Sequence, residues 1–422
     1  MVDIQRSRYF MLRFQDEQQL DLRALLRGQI ETSAGIELLA ISALTDSEQR
    51  VTPAEIELLA RIPAEPWQPL VRLATEIGVR AERLEALVRK GLAISTANDR
   101  DLKRLREREE AFRRTHWNPQ AAVYHLMIRY PTGLDRKADR SLIDIEAMAA
   151  GSPQAIENWI ERHGEPPSPF YRWRDAHSTP EHGTQTQSPH AADSIKLPLK
   201  TKRGSLYRAL EQRRTVRCFN HDAPIALSDL ATLLYYVFGC HGYAHLSSTH
   251  TILHRTSPSG GSLHPIEAYA LVQHVSGLEP GLYHYHTRRH ALDLIRLLAR
   301  AQTERLAIEM AAGQAFVASA PVLLALTARF DRNFWKYREN VKTHSVVLLD
   351  AGHLSQTFQL VASDHGLGAF FVAHDADVVE QALGLDGIEQ GAVALVGCGK
   401  PVSDSPDFGI DFIDFVPGQT DI

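Results

Sequence analysis

Three stretches in the second half of the chain gather side chains with usable chemistry. Arg213-Arg214-Thr215-Val216-Arg217 places three guanidiniums and a hydroxyl within five residues. Such a set binds a phosphate dianion through charge-assisted, bidentate hydrogen bonds. The same run also suits a basic helix end set against its own macrodipole. Thr256-Ser257-Pro258-Ser259-Gly260-Gly261-Ser262-Leu263-His264-Pro265 precedes an apolar, strand-like run, Glu267 to Val272. Its adjacent glycines let backbone N–H groups approach a ligand closely, although an ordinary tight turn before a strand uses the same residues. No GxGxxG or GxxxxGK(S/T) pattern accompanies it, which argues against a dinucleotide fold and a P-loop. Lys336-Tyr337 stands just before a long apolar-periodic segment, Thr343 to His365. A buried lysine beside a phenol offers a proton acceptor and a donor, and a plain surface pair at a helix start offers neither. Cys218, Cys240 and Cys398 are far apart and form no CxxC or Cys/His cluster, so neither a disulfide framework nor a metal site is expected.

Five motifs follow one another: RRTVR, PSGGSLHPIEAY, GLYHYH, WKY and LLDAGHLSQTFQLVASDHGLGAFFV. Their order resembles the nitroreductase-like FMN family. More narrowly it resembles SagB-type and related peptide-maturation (azoline) dehydrogenases, over roughly residues 200–402. The resemblance implies an α+β fold with a mixed central sheet and long core helices, and FMN bound at a homodimer interface. It puts Arg213, Thr215 and Arg217 on the FMN phosphate and ribityl chain, with Arg214 nearby. Pro258, Ser259, Gly260, Gly261 and Ser262 fall under the flavin, Ala373-His374 near its isoalloxazine edge, and Lys400 at a further phosphate contact. Lys336 and Tyr337 match the catalytic pair, with Lys336 as the base for the ring proton and Tyr337 orienting it. Lys342 and His344 are the next candidates for the base, and His344 stands where many relatives carry tyrosine. The implied reaction is oxidation of azoline rings in a ribosomally made precursor peptide. A cyclodehydratase or other maturation enzymes would be partners. Competing readings are reduction of dehydroamino acids or of small nitro or quinone compounds, and a non-catalytic peptide-binding scaffold.

The elements that position these motifs divide by texture. Residues 1–118 are rich in helix formers and in charges of both signs. Thr52-Pro53-Ala54-Glu55 is a capping box with proline at the first helical position. Further helices are expected over Leu70–Ile77 and Ala81–Lys90, then a strand at Leu92–Ile94, which together make a winged-helix-like pattern. The third helix mixes Arg80, Glu82, Arg83, Glu85, Arg89 and Lys90, whereas a DNA reader shows a basic face. The region is therefore expected to dock peptide or a partner protein rather than nucleic acid. Asp101–Arg114 reads as a solvated, charged connector. Residues 119–200 form a helical connector and a Pro/Ser/His-rich linker, and 201–422 the FMN-binding oxidoreductase domain.

Composition narrows the function classes further. The 422 residues are 44% hydrophobic and 23% charged, which suits a soluble globular protein of two or three domains. A net charge of −5 gives no general attraction to nucleic acid or anionic membrane. Met1 to Phe10 lacks the apolar core of a secretion signal, and Phe316–Leu326 is too short to span a bilayer. A cytoplasmic protein is expected.

Overall fold

The computed structural model describes residues 2–20, 32–45, 47–127, 154, 157–158, 160–161, 202–248, 251–338, 340 and 342–402. One unit comprises Met1–Thr132 with Gln212–Ser403, and a second comprises Gly133–Glu211 with Asp404–Ile422. The second unit contributes the helix Ser205–Gln212 up to the unit boundary. The Pro/Ser/His-rich stretch expected as a linker lies outside the described residues.

A six-stranded sheet organises the first unit, in the order Ala291–Leu297, Gly281–His286, Ile266–Val272, Val322–Arg329, Gln390–Gly399, Gly368–Val372. These strands pair antiparallel, and a parallel bridge from Thr215 to Ala369 adds the mixed edge. Val322-Leu323-Leu324-Ala325-Leu326 is wholly buried because both faces of the sheet are covered. The helix Thr343–Asp364, hereafter the core helix, covers one face. Val347, Ala351, Leu354, Phe358 and Ala362 recur at helical spacing and are buried there with Leu230, Leu233 and Leu234 of helix Leu227–Phe238. The other face is packed by Ala307 and Met310 of helix Arg300–Met310 and by Val379 of helix Ala376–Leu383. The expected α+β architecture with long core helices is the observed one.

In the N-terminal part, helices Pro53–Arg61, Leu70–Ile77 and Ala81–Arg89 pack on a small sheet of Gln68–Pro69, Asp3–Arg6 and Ala93–Ser95. The Thr52 capping box forms as its sequence predicts: Glu55 N–H donates to Thr52 Oγ1, and Thr52 N–H donates to Glu55 Oε2. A three-stranded sheet of Phe10–Leu20, Thr32–Ser42 and Ser47–Arg50 was not anticipated. The charged helix Arg100–Arg114 is no solvated connector. Phe112 and Glu109 are wholly buried, and Glu109 accepts hydrogen bonds from Ser7 Oγ (2.6 Å) and Arg113 Nε (2.9 Å). The Arg113 cation compensates the buried carboxylate, so one face of a polar helix can face inward.

Trp117 ties this part to the six-stranded sheet. Its indole N–H donates to the Ile388 carbonyl at 2.9 Å, and its ring meets Phe330 and Phe334. Beside it, His125 of helix Pro119–Met127 and His344 of the core helix are both buried, with Nδ1 and Nε2 3.0 Å apart. Burial pushes the His344 imidazole down to about 4. Protonation thus favours the unfolded chain, where the pKa is near 6.5. The stabilisation is complete above pH 6.5 and is lost as pH falls towards 4, reaching about 2–3 kcal/mol by pH 4.5. Urea unfolding at pH 7.5 and 4.5 should therefore show a smaller acid-induced loss in His344→Phe than in the parent chain. Equal losses would remove His344 as the acid-sensitive group.

Candidate active site

The glycine-rich segment joins strand Thr251–His254 to strand Ile266–Val272 and makes a single tight helical turn at Gly260–Ser262. Gly261 has φ +66°, and Ser262 and His264 also take positive φ, at 57° and 45°. Left-handed backbone at two non-glycine residues persists only where its surroundings impose it. Here Asp350 of the core helix imposes it. Its Oδ2 accepts from Ser259 Oγ at 2.5 Å and its Oδ1 accepts from Gly260 N–H at 3.1 Å. Ser259 Oγ accepts from His264 N–H at 2.9 Å. Ser257 and Thr357 share a hydroxyl hydrogen bond of 2.6 Å one helical stretch further on. Burial pushes the Asp350 carboxyl above its ordinary range, against the pull of the Ser259 and Gly260 bonds.

The pair Lys336-Tyr337 meets this loop. A methyl group on Gly261 would stand 2.7 Å from Tyr337 Oη and 2.8 Å from Lys336 Nζ, and one on Gly260 would run into Val346 Cγ1. The loop is thus a side-chain-free shelf beneath the pair. The pair does not start a helix, as its place in the sequence suggested. It ends a short one, Phe330–Tyr337, anchored by buried Phe330 and Phe334. Arg338 closes that helix at φ 49°, ψ −138°. Lys336 is exposed and Tyr337 half-buried, with Lys336 Nζ 5.6 Å from the phenol ring centre. His344 is buried against Trp117 and His125, whereas Lys342 is exposed at the start of the core helix.

The arginine cluster runs along the sheet edge. Val216 N–H donates to the Ala369 carbonyl at 2.9 Å, and Val216 is buried. Arg213, Thr215 and Arg217 alternate with it and are half-buried, so they share the opposite face of an extended segment, while Arg214 is exposed. Arg213 Nη1 donates to Gln359 Oε1 of the core helix at 3.1 Å, and the Arg217 guanidinium lies 6.0 Å from the Phe316 ring centre. Asn220 N–H donates to the Lys400 carbonyl at 2.9 Å, bringing Lys400 beside the same segment. Ala373 and His374 follow strand Gly368–Val372 at its far end. Three cations beside a hydroxyl fit the anionic part of FMN.

The two halves contact the core helix at different places. Gln359 follows Asp350 by nine residues, about half a turn out of phase on the core helix and about 13 Å along its axis. Arg213 therefore contacts one flank of that helix, and the Ser259–Gly261 shelf contacts the other.

One feature escaped the sequence reading: a cavity of about 940 Å³ beside the shelf, lined by Arg255, His264, Glu267, His284, Arg332 and others. Burial, aided by Arg255, pushes His264 down to about 4, and its Nε2 lies 3.1 Å from the Leu253 carbonyl. The alternation of His284 and His286 in GLYHYH was the available signal, because period two puts both on one face of a strand. Among the described residues no group of three or more His, Cys, Asp or Glu could hold a metal ion, and no helix is long and apolar enough to cross a membrane.

Residues 210–400 match the model of the nitroreductase family. A nitroreductase-type protein of Methanocaldococcus jannaschii, MJ1384, is 31% identical over 163 residues, covering 39% of this chain and 75% of that protein. The trifolitoxin-processing protein TfxB of Rhizobium leguminosarum bv. trifolii is 32% identical over 188 residues, covering 42% of this chain and about half (49%) of TfxB. Among solved structures, the Escherichia coli microcin synthetase McbBCD complex with truncated pro-MccB17 is 17% identical. It covers 63% of this chain and 98% of that chain, with a TM-score of 0.38. On the matched segment and the Methanocaldococcus relative, the chain belongs to the nitroreductase family of FMN-dependent oxidoreductases.

Proposed function

We propose that the chain is an FMN-dependent dehydrogenase of a ribosomally made precursor peptide, oxidising azoline rings to azoles. The observation that carries this reading is the placement of Lys336 Nζ and Tyr337 Oη over the side-chain-free shelf at Gly261. A peptide substrate is supported by the likeness to TfxB, a protein named for processing trifolitoxin. Arg213, Thr215 and Arg217 would hold the FMN phosphate and ribityl chain, with Arg214 and Lys400 adding positive charge. Pro258 to Ser262 would carry the ring system, and Ala373-His374 would line its edge. FMN, when bound, supplies the two-electron acceptor. The neutral amine of Lys336 would take the proton from the ring carbon of the azoline as the hydride leaves for the flavin, and Tyr337 would orient that amine. A base so placed contributes about 10²–10⁴-fold. The likeness to MJ1384 favours a second reading, reduction of small nitro or quinone compounds at the same shelf.

The working form in this proposal is a homodimer. Two halves of a flavin site on opposite flanks of one helix become one site when a second chain brings its own flank alongside. The core helix leaves Ser345, Leu349, Gly352 and Gln356 exposed at helical spacing between those flanks, with Leu349 at 62% exposure. Residues 1–118 act in this scheme as the docking region for the peptide or for a cyclodehydratase partner. Phe14 and Ile36 support that role, as they are exposed at 76% and 74% on adjacent strands of the N-terminal sheet.

Two measurements test the reading. Replacing Arg213 and Arg217 together by alanine should weaken FMN binding by roughly 10²–10⁴-fold, since each charge-assisted bond contributes about 1.5–3 kcal/mol. FMN content equal to the parent's would refute the phosphate site. Lys336→Ala should keep FMN and lose single-turnover flavin reduction by azoline peptide by about 10²–10⁴-fold. Unchanged reduction would take this lysine out of the mechanism, and turnover of nitro compounds alone would favour the second reading.

A further inference from the structure

Arg255 lies at the end of strand Thr251–His254, four residues before Ser259, and its side chain lines the 940 Å³ cavity. It is only 8% exposed. Its Nη1 reaches the Ile266 carbonyl at 3.4 Å, and its Nε, also buried, has no hydrogen-bond partner. A guanidinium taken out of water this far is costly unless an anion compensates it. Glu267 is the carboxylate that acts on it, but Glu267 also acts on Arg332 and lies 3.2 Å from His284 Nε2. Among the residues lining the cavity are four arginines and a single carboxylate. Buried Arg255 and half-buried Arg332, the latter also acted on by Asp331, share the one carboxylate of the lining, which leaves an excess of positive charge along the cavity wall.

Arg332 fixes where that charge sits relative to the chemistry. Its Nε donates to the Leu263 carbonyl at 2.7 Å, at the end of the glycine shelf. Lys336 follows Arg332 by one helical turn, about 6 Å along the same helix. The cavity therefore opens beside the shelf over which Lys336 and Tyr337 stand.

We infer that this cavity is a substrate subsite that takes a carboxylate of the peptide, held by Arg255 and Arg332, next to the residue that is oxidised. The inference rests on the peptide reading above. A planar guanidinium fork matches a carboxylate through two parallel hydrogen bonds, and the volume accommodates side chains rather than a small ion alone. The carboxylate comes from an Asp or Glu side chain or from the peptide's own C-terminus. Either source meets the same two cations.

The test uses the FMN-loaded full chain and three N-acetylated hexapeptide probes, with binding read by calorimetry and no turnover required. One probe carries glutamate with an amidated C-terminus, one carries glutamine with an amidated C-terminus, and one carries glutamine with a free C-terminus. The subsite predicts that one or both carboxylate probes bind at least tenfold more tightly than the neutral probe, and which one does so identifies the source. Arg255→Met should abolish that preference while leaving FMN content unchanged, and Arg332→Met, measured in parallel, should weaken it. Equal binding of all three probes to the parent chain, or a preference surviving in both variants, would overturn the inference. A chain that prefers the acidic probe yet never oxidises an azoline peptide would instead overturn the proposed reaction and leave the subsite standing.

Discussion

The core helix Thr343–Asp364 is the constraint on which the rest of the site depends. Its buried stripe, from Val347 to Ala362, fixes its rotation on the sheet. Once that rotation is set, its two flanks have no freedom left. Asp350 on one flank grips Ser259 and Gly260 and so determines the shape of the shelf. Gln359 on the other flank receives Arg213 and so sets the start of the cationic segment. Losing the packing stripe would disorganise both halves together, whereas a change on one flank would reach only one of them.

The N-terminal part bears on the same helix from its first turn. Trp117 sits among Phe330, Phe334, His125 and His344, so the helix that carries Lys336-Tyr337 and the start of the core helix share one aromatic cluster. A region whose sequence suggests docking of a peptide or partner is thereby packed against the elements that carry Lys336 and Tyr337. Charge is distributed with equal economy. Cations line the sheet edge and the cavity, while the shelf between Ser259 and Ser262 offers only backbone and hydroxyls.

Much of the site was legible because its chemistry is local. Gly260-Gly261, Lys336-Tyr337 and Arg213–Arg217 are short runs whose residue types single them out as candidates, and the apolar period of Thr343–Asp364 marks a core helix. What failed to show was non-local. The strands Phe10–Leu20 and Thr32–Ser42 include the polar stretch Gln15-Asp16-Glu17-Gln18-Gln19, which lacks the alternation that betrays a strand. Helix Arg100–Arg114 looked solvated because its inward face holds a glutamate, and only the fold brings Ser7 to that carboxylate. Arg255 and Arg332 stand 77 residues apart, and no spacing rule joins them until the glycine shelf brings both to one wall.

In the proposed homodimer each flavin site takes its arginines from one chain and its shelf and lysine from the other. A mixed dimer tests this directly. One subunit carries Arg213→Ala with Arg217→Ala, the other carries Lys336→Ala, and different tags on the two subunits isolate the mixed species. With sites built across the dimer, both defects fall in one site and the other is intact, so the mixed dimer should recover about half of the parent's azoline-peptide oxidation. Mixed dimers as inactive as either variant alone would contradict the account, because sites built within single chains would each carry one defect.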